Sequence, residues 1–169
     1  RPLIFPKFFD DETLEEIRKV KSQTELYVEE KGLTDLEVKR GRGGIRDIEF
    51  TVQMLQLLNG GRFPEIRVRS TLGAIRALGF TGLLSALEAD VLARNYVFLR
   101  TVEHRLQLKE GLQTHTLPRE PDELSALSHG LGYRDAESFL RDYKERTATN
   151  RKILERFLVA EGSGTRWIL

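Results

Sequence analysis

A chain of 169 residues can bury one hydrophobic core, and its 40% hydrophobic and 31% charged residues are typical of a globular domain. The 27 basic and 26 acidic residues leave a net charge of +1, so no overall field attracts nucleic acid and no nucleic-acid partner is expected. The chain lacks cysteine, which excludes disulfides and favours a reducing, cytoplasmic location. It also lacks an apolar run of membrane-spanning length, so no membrane partner is expected.

The first predicted helix begins after Asp10 or Asp11, has acidic residues in its first turn, and ends at Gly32. A weakly alternating stretch over 35–39 follows, and then a glycine-rich loop. Apolar residues at helical spacing predict a second helix from Ile45 to Asn59.

Four more helices are predicted from periodicity and from the positions of Gly, Pro and capping residues. Their ranges are 70–78, 83–110, 122–130 and 135–160. The fold class expected is all-α: a single helical bundle of five to six helices with the glycine-rich loop between the first two. We expect the domain to cover 1–162 and a linker to begin at 163–169, as part of a longer protein.

The segment over 39–50 is a basic glycine-rich loop that enters a helix N-terminus. Glycine amides, the helix dipole and nearby cations can together hold a phosphate. The residues expected to bind a nucleotide or phosphate are Lys39, Arg42, Gly43, Gly44 and Arg46. Alternatively, the glycines only form a tight turn and the basic side chains are solvated.

Two polar stripes at helical spacing form a second candidate feature. One contains Arg46, Glu49, Gln53 and Gln56, and the other contains Arg100, Glu103, His104 and Gln107. They either hold the helices together through internal ion pairs or line a cleft beside the glycine loop.

No catalytic or metal-binding residue is predicted. The three histidines have no partner at metal-ligand spacing, and no nucleophile-elbow motif occurs. A second basic cluster, with four arginines against Glu65 over 61–76, could extend an anion-binding surface or be a solvated face.

Five sequence blocks resemble the helical domain of the glutamine-synthetase adenylyltransferases, shared more distantly with the PII uridylyltransferases. The first block is VKRGRGGIRDIEF at 38–50. The others lie at 53–62, 69–72, 98–107 and 113–118, in the same order.

The resemblance implies a parent enzyme with two nucleotidyltransferase halves, which add and remove AMP on glutamine synthetase under control of the PII protein and glutamine. ATP and Mg²⁺ would serve the parent enzyme. The signature of such transferases, a Gly-Ser turn followed by an Asp-x-Asp pair that holds Mg²⁺, is absent from this sequence. The chain is therefore expected to be a non-catalytic part, inactive alone and adjacent to other nucleotidyltransferase domains.

The linker-like tail favours the first half of the parent, where AMP would be removed. A uridylyltransferase is the less favoured interpretation, because its downstream His-Asp hydrolase motif is absent here.

Two functions remain open at this point. The domain borders the nucleotide or phosphate cleft, or it is an interaction or spacer module that docks the PII protein or glutamine synthetase and has no role in the chemistry.

Overall fold

The computed structural model describes residues 36–110 and 115–159, together with five separate residues between 15 and 22. These five are helical, while the rest of the first predicted helix lies outside the described residues. The predicted linker over 163–169 and most of the first 35 residues lie outside them as well.

The described ranges contain five α-helices. They are α1 (Ile45–Asn59), α2 (Thr71–Phe80), α3 (Ala86–Glu110), α4 (Pro121–Gly130) and α5 (Ala136–Val159), with a 3-10 turn at Pro64–Ile66 between α1 and α2. Within these ranges there is no strand, and Glu37 and Thr116 form an isolated antiparallel bridge. The predicted all-α class is confirmed.

Side-chain caps set several helix starts. Ser70 accepts a hydrogen bond from the Gly73 amide at 3.3 Å before α2. Ser85 and Glu88 form a reciprocal capping box before α3. The Ser85 amide donates to the Glu88 carboxylate at 2.9 Å, and the Glu88 amide donates to the Ser85 hydroxyl at 3.2 Å. Helix α3 therefore begins at 86, three residues later than predicted.

Helix α2 continues to Phe80, two residues beyond its predicted end at Leu78. Gly79 lies inside the helix and packs close to the Ala89 methyl group of α3. The left-handed position that ends the turn belongs to Gly82, with a φ of 77°.

The core lies where α1 packs against α2, α3 and α5, and α4 covers α5. Its largest fully buried side chains come from α1, α2, α3 and α5, from the 3-10 turn and from the segments that connect the helices: Phe139, Ile45, Ile48, Leu55, Ile66, Ile75, Leu78, Leu84, Leu92, Leu99, Leu117 and Leu154. Burying one such side chain contributes about 1.5–3 kcal/mol, so this interior fixes the helices that carry the polar residues.

Two backbone hydrogen bonds join the segment before α1 to the segment before α4. The Val38 amide donates to the His115 carbonyl and the Leu117 amide donates to the Leu36 carbonyl, both at 2.8 Å. The start of the glycine loop is thereby fixed beside residues 115–117. None of the described helices is long and apolar enough to cross a membrane.

Candidate functional site

The basic glycine loop, residues 39–46, closes on itself through backbone hydrogen bonds. The Gly44 amide donates to Gly41 at 2.9 Å, the Ile45 amide to Val38 at 3.1 Å, and the Arg46 amide to the Lys39 carbonyl at 2.9 Å. The first amides of α1 thus already have acceptors within the chain. In this conformation they cannot also donate to an anion at the helix N-terminus.

Gly43 is fixed by its neighbours on α5. Its φ is 69°, and a Cβ atom there would overlap the backbone carbonyl of Thr147. A Cβ on Gly44 would stand 2.6 Å from the Val38 carbonyl oxygen. Both glycines are therefore required by close backbone packing, whatever else the loop does.

A buried carboxylate of the chain itself accepts one of the loop amides. Asp47 is 1% exposed and accepts the Gly43 amide at 2.8 Å. Its carboxylate is ion-paired with Lys21 and lies 3.6 Å from Arg151 of α5. We call Asp47 with Lys21, Gly43 and Arg151 the Asp47 cluster. It connects Lys21, the glycine loop and α5 through one buried carboxylate.

The three basic side chains of the predicted phosphate site lie in different surroundings. Arg46 is exposed and forms no ion pair with any described residue. Arg42 is exposed and lies 3.7 Å from Glu155 of α5. Lys39 is partly buried and its Nζ lies 3.7 Å from Glu103 of α3. An anion at the loop would therefore be bound by side chains, with Arg46 the most available.

Glu103 is the centre of a second buried polar cluster, formed with Lys39, Arg100 and His115. Its side chain is 4% exposed and accepts a hydrogen bond from Arg100 at 2.5 Å. Its Oε1 lies 3.1 Å from His115 Nδ1, yet the angle is poor and neither atom has a well-directed hydrogen bond. This Glu103 cluster links the loop, α3 and the 115–117 segment.

The structure separates the remaining residues of the two predicted stripes. Glu49 accepts a hydrogen bond from the Tyr96 hydroxyl at 3.3 Å, which joins α1 to α3. Gln56 donates to the carbonyls of Ile66 and Val68, a structural role. Gln53 and His104 are exposed.

His104 and Arg100 line a shallow open groove of about 470 Å³ between α2 and α3. Its other lining residues are Leu72, Tyr96, Val97 and Thr101. Arg100 belongs both to this groove and to the Glu103 cluster, so the two features are contiguous. Through Lys39 they connect to the glycine loop.

Several residues that build the site were missed by sequence reasoning. Asp47 had a usable signal, an acid in the first turn of a helix after glycines. Asn150, which donates to the Gly43 carbonyl, and Arg151, which lies beside Asp47, had no such signal, because they reach the loop from α5. Local spacing gave His115 no carboxylate partner, whereas the tertiary fold places Glu103 beside it.

Metal binding finds no support in the part of the chain that the structure describes. There, no three side chains of His, Asp or Glu come together as a possible metal site. The two central carboxylates, Asp47 and Glu103, are already engaged with cations. The described residues therefore do not fit Mg²⁺.

A family model and several curated proteins match this chain over most of its length. The family described as GlnD PII-uridylyltransferase matches residues 11–158. Curated relatives carry the name bifunctional glutamine synthetase adenylyltransferase/adenylyl-removing enzyme. The one from Mesorhizobium japonicum is 40% identical over 149 residues, covering 85% of this chain and 15% of the relative.

Two further relatives with the same name agree. The protein of Bradyrhizobium diazoefficiens is 42% identical over 143 residues, covering 83% of this chain and 14% of its own length. The protein of Bartonella quintana is 38% identical over 143 residues, covering 83% of this chain and 15% of its own length. The chain thus corresponds to about one seventh of the curated relatives it matches.

Proposed function

The chain belongs to the GlnD PII-uridylyltransferase family, and from this membership we propose that it is a non-catalytic helical part of a nucleotidyltransferase that adds or removes AMP on glutamine synthetase. The names of the relatives support this activity for the whole protein. The small fraction of those relatives that the chain spans supports its being a part. ATP and Mg²⁺ would be held mainly by neighbouring nucleotidyltransferase domains, since the described carboxylates do not fit the metal.

We further propose that the domain borders the nucleotide or phosphate cleft through the basic side chains of the glycine loop. The observation that carries this proposal is the exposed Arg46, which has no carboxylate partner among the described residues and sits on a loop held rigid by backbone bonds. A cation with no counter-charge, on a fixed backbone, can meet a phosphate without first breaking an ion pair.

Lys39 and Arg42 would support Arg46 from either side. Each lies 3.7 Å from a carboxylate, at Glu103 and Glu155, a distance that holds the side chain in place while leaving donors for a ligand. Gly43 and Gly44 contribute by shaping the loop, because their amides donate within the chain.

The test is the rate of AMP transfer and of AMP removal by the full-length protein carrying Arg46→Ala or Lys39→Ala. We expect a fall of roughly 100-fold, equal to about 3 kcal/mol of transition-state stabilisation, with an unchanged thermal midpoint for Arg46→Ala. Lys144→Ala on α5 is the matched control, since it removes an exposed cation that is not part of the loop. Rates that stay unchanged in both loop variants would make the loop a structural turn.

The alternative function, docking of the PII protein or glutamine synthetase, is favoured by a different observation. The groove between α2 and α3 exposes apolar and cationic side chains together. This feature needs no contribution from the loop, so both functions can belong to one domain.

A further inference from the structure

Two arginines lie one helical turn beyond lining residues of the groove between α2 and α3. Arg76 lies one turn after Leu72 on α2, and Arg105 lies one turn after Thr101 on α3, so each shares a helix face with a groove-lining residue. Both arginines are exposed, and the guanidinium of Arg105 also lies close to the end of α4, 3.6 Å from the position that a Cβ atom on Gly130 would take. We call the groove with these two residues the basic groove.

Two arginines of the basic groove, unlike the arginines of α5, have no carboxylate partner among the described residues, whereas Arg100 in the groove is paired with Glu103. Each arginine of α5 is paired with a carboxylate: Arg141 with Glu137, Arg146 with Asp142, Arg151 with Glu155 and Arg156 with Glu88. Arg76, His104 and Arg105 form no ion pair with any residue in the described ranges. The charges of Arg76 and Arg105 therefore lack a counter-charge among the described residues, although the chain as a whole is nearly neutral.

The same face exposes apolar side chains. Val97 is 50% exposed and Leu108 is 68% exposed, and they lie with Thr101 and His104 at positions 97, 101, 104 and 108 along one face of α3. Exposed aliphatic side chains beside cations that lack partners are the features that an acidic amphipathic segment complements.

From this combination we propose that the basic groove is a docking site for an acidic segment of a protein, with carboxylates facing Arg76, His104 and Arg105 and an aliphatic anchor against Leu72 and Val97. Nucleic acid fits less well, because single strands are bound by stacking on exposed aromatic rings. The groove itself is lined by one aromatic residue, Tyr96, which is partly buried and whose hydroxyl is bonded to Glu49, while the exposed Phe80 lies one turn beyond Arg76, at the end of α2. The inference does not rest on the phosphate role of Lys39, Arg42 and Arg46.

The experiment is a titration of the 169-residue chain into a fluorescein-labelled peptide of glutamate, leucine and alanine with leucines at helical spacing, followed by fluorescence anisotropy. The charge-reversal variant is Arg76→Glu with Arg105→Glu. Its control is Lys144→Glu with Lys152→Glu, which changes the net charge equally at exposed positions on α5. Val97→Ser tests the aliphatic contact, and circular dichroism checks that each variant is folded.

We expect saturable binding of the acidic peptide, weakened at least tenfold by the groove reversal, several-fold by Val97→Ser, and less than twofold by the control. Equal weakening by the control and the groove reversal would overturn the proposal, since binding would then follow net charge alone. Absence of binding would overturn it too. Tighter binding of a single-stranded DNA of equal charge, lost in the groove reversal, would replace it with a nucleic-acid interface.

Discussion

Asn150 on α5 donates its side-chain amide to the carbonyl oxygen of Gly43 at 2.8 Å, across 107 residues of sequence. Asn150 also accepts a hydrogen bond from Asn95 of α3 at 2.7 Å. The glycine loop is therefore held by the last described helix, which is itself tied to the long central helix. The conformation of the loop depends on the assembled bundle and not on its local sequence alone.

Replacing Gly43 with alanine is expected to destabilise the fold strongly. The left-handed backbone costs a non-glycine residue about 1–2 kcal/mol, and the new methyl group would also overlap the Thr147 carbonyl. Gly132→Ala is the matched control, because Gly132 has a φ of 86° and nothing lies within 4 Å of the position that a methyl group would take there. Urea unfolding of both variants separates the two costs, and equal losses would show that the contact with Thr147 contributes nothing.

Removing the Asp47 carboxylate is expected to cost about 3–5 kcal/mol, the range for breaking a buried ion pair from one side. Asp47→Ala takes away the acceptor of the Gly43 amide and a counter-charge of Lys21 and Arg151. Asp90→Ala is a fair comparison, because its pair with Arg94 is exposed and such pairs are worth less than about 1 kcal/mol. Free energies of unfolding from urea titration that fall equally would contradict a special role for Asp47.

Sequence reasoning predicted the helices because apolar residues recur at helical spacing in each of them. Its errors fell at the end of α2 and the start of α3, where Gly79 continues a helix and the Ser85 capping box decides the boundary. The family resemblance is confirmed by the comparisons. Five blocks in the right order carry more information than any one motif does.

The site was less predictable, because its contacts are distant in sequence. Helical spacing placed Glu103 and His104 in one stripe, but the fold buries the first and exposes the second. Asp47 had a local signal, an acid in the first turn of a helix after glycines, but nothing local indicates that Thr147 packs against Gly43. The role of Lys39, Arg42 and Arg46 in phosphate binding stays a prediction.

Asp135 makes stability sensitive to acid. The Ser138 amide, donating at 2.7 Å, and then Arg134 lower the pKa of the Asp135 carboxyl from 3.8 to about 2. A carboxyl whose pKa is lower in the folded state stabilises the fold above its unfolded pKa and loses that contribution as the pH falls through its folded pKa. Acidification from pH 3.8 to about 2 should therefore remove stability.

The check is thermal unfolding across this pH range for the parent chain and for Asp135→Asn. We expect the difference between the two midpoints to shrink as the pH falls, because protonation abolishes what the substitution has already removed. A difference that stays constant would show that the charge of Asp135 is not involved.

Tyr133 gives the opposite dependence, at alkaline pH. Burial, followed by its hydrogen bond to Asp142, raises the pKa of the phenol from 10.0 to about 12. A group whose pKa is higher in the folded state stabilises the fold below its unfolded pKa and loses that contribution as the pH rises towards 12. Between pH 10.0 and about 12, the free energy of unfolding should therefore fall less in Tyr133→Phe than in the parent chain. The change in phenolate absorbance between parent and variant, measured during the same titration, identifies the group that ionises.

Glu103 and His115 should be energetically coupled although their contact is poorly directed. Glu103 Oε1 lies 3.1 Å from His115 Nδ1, both atoms are buried, and neither has a hydrogen-bond partner in the described structure. Glu103→Gln removes the negative charge that faces Arg100, Lys39 and His115, and it is expected to lower the free energy of unfolding by about 1.5–3 kcal/mol, the net contribution of a hydrogen bond to a charged group.

A double-mutant cycle with His115→Ala measures the coupling, which we expect to exceed about 0.5 kcal/mol. Glu49→Gln with His115→Ala is the control cycle, since Glu49 bonds to Tyr96 instead. Additive losses in the Glu103 cycle would mean that the two side chains are merely adjacent. Coupling there, with additivity in the control, would show that Glu103 holds the 115–117 segment against α3 and with it the start of the glycine loop, because the His115 carbonyl accepts the Val38 amide.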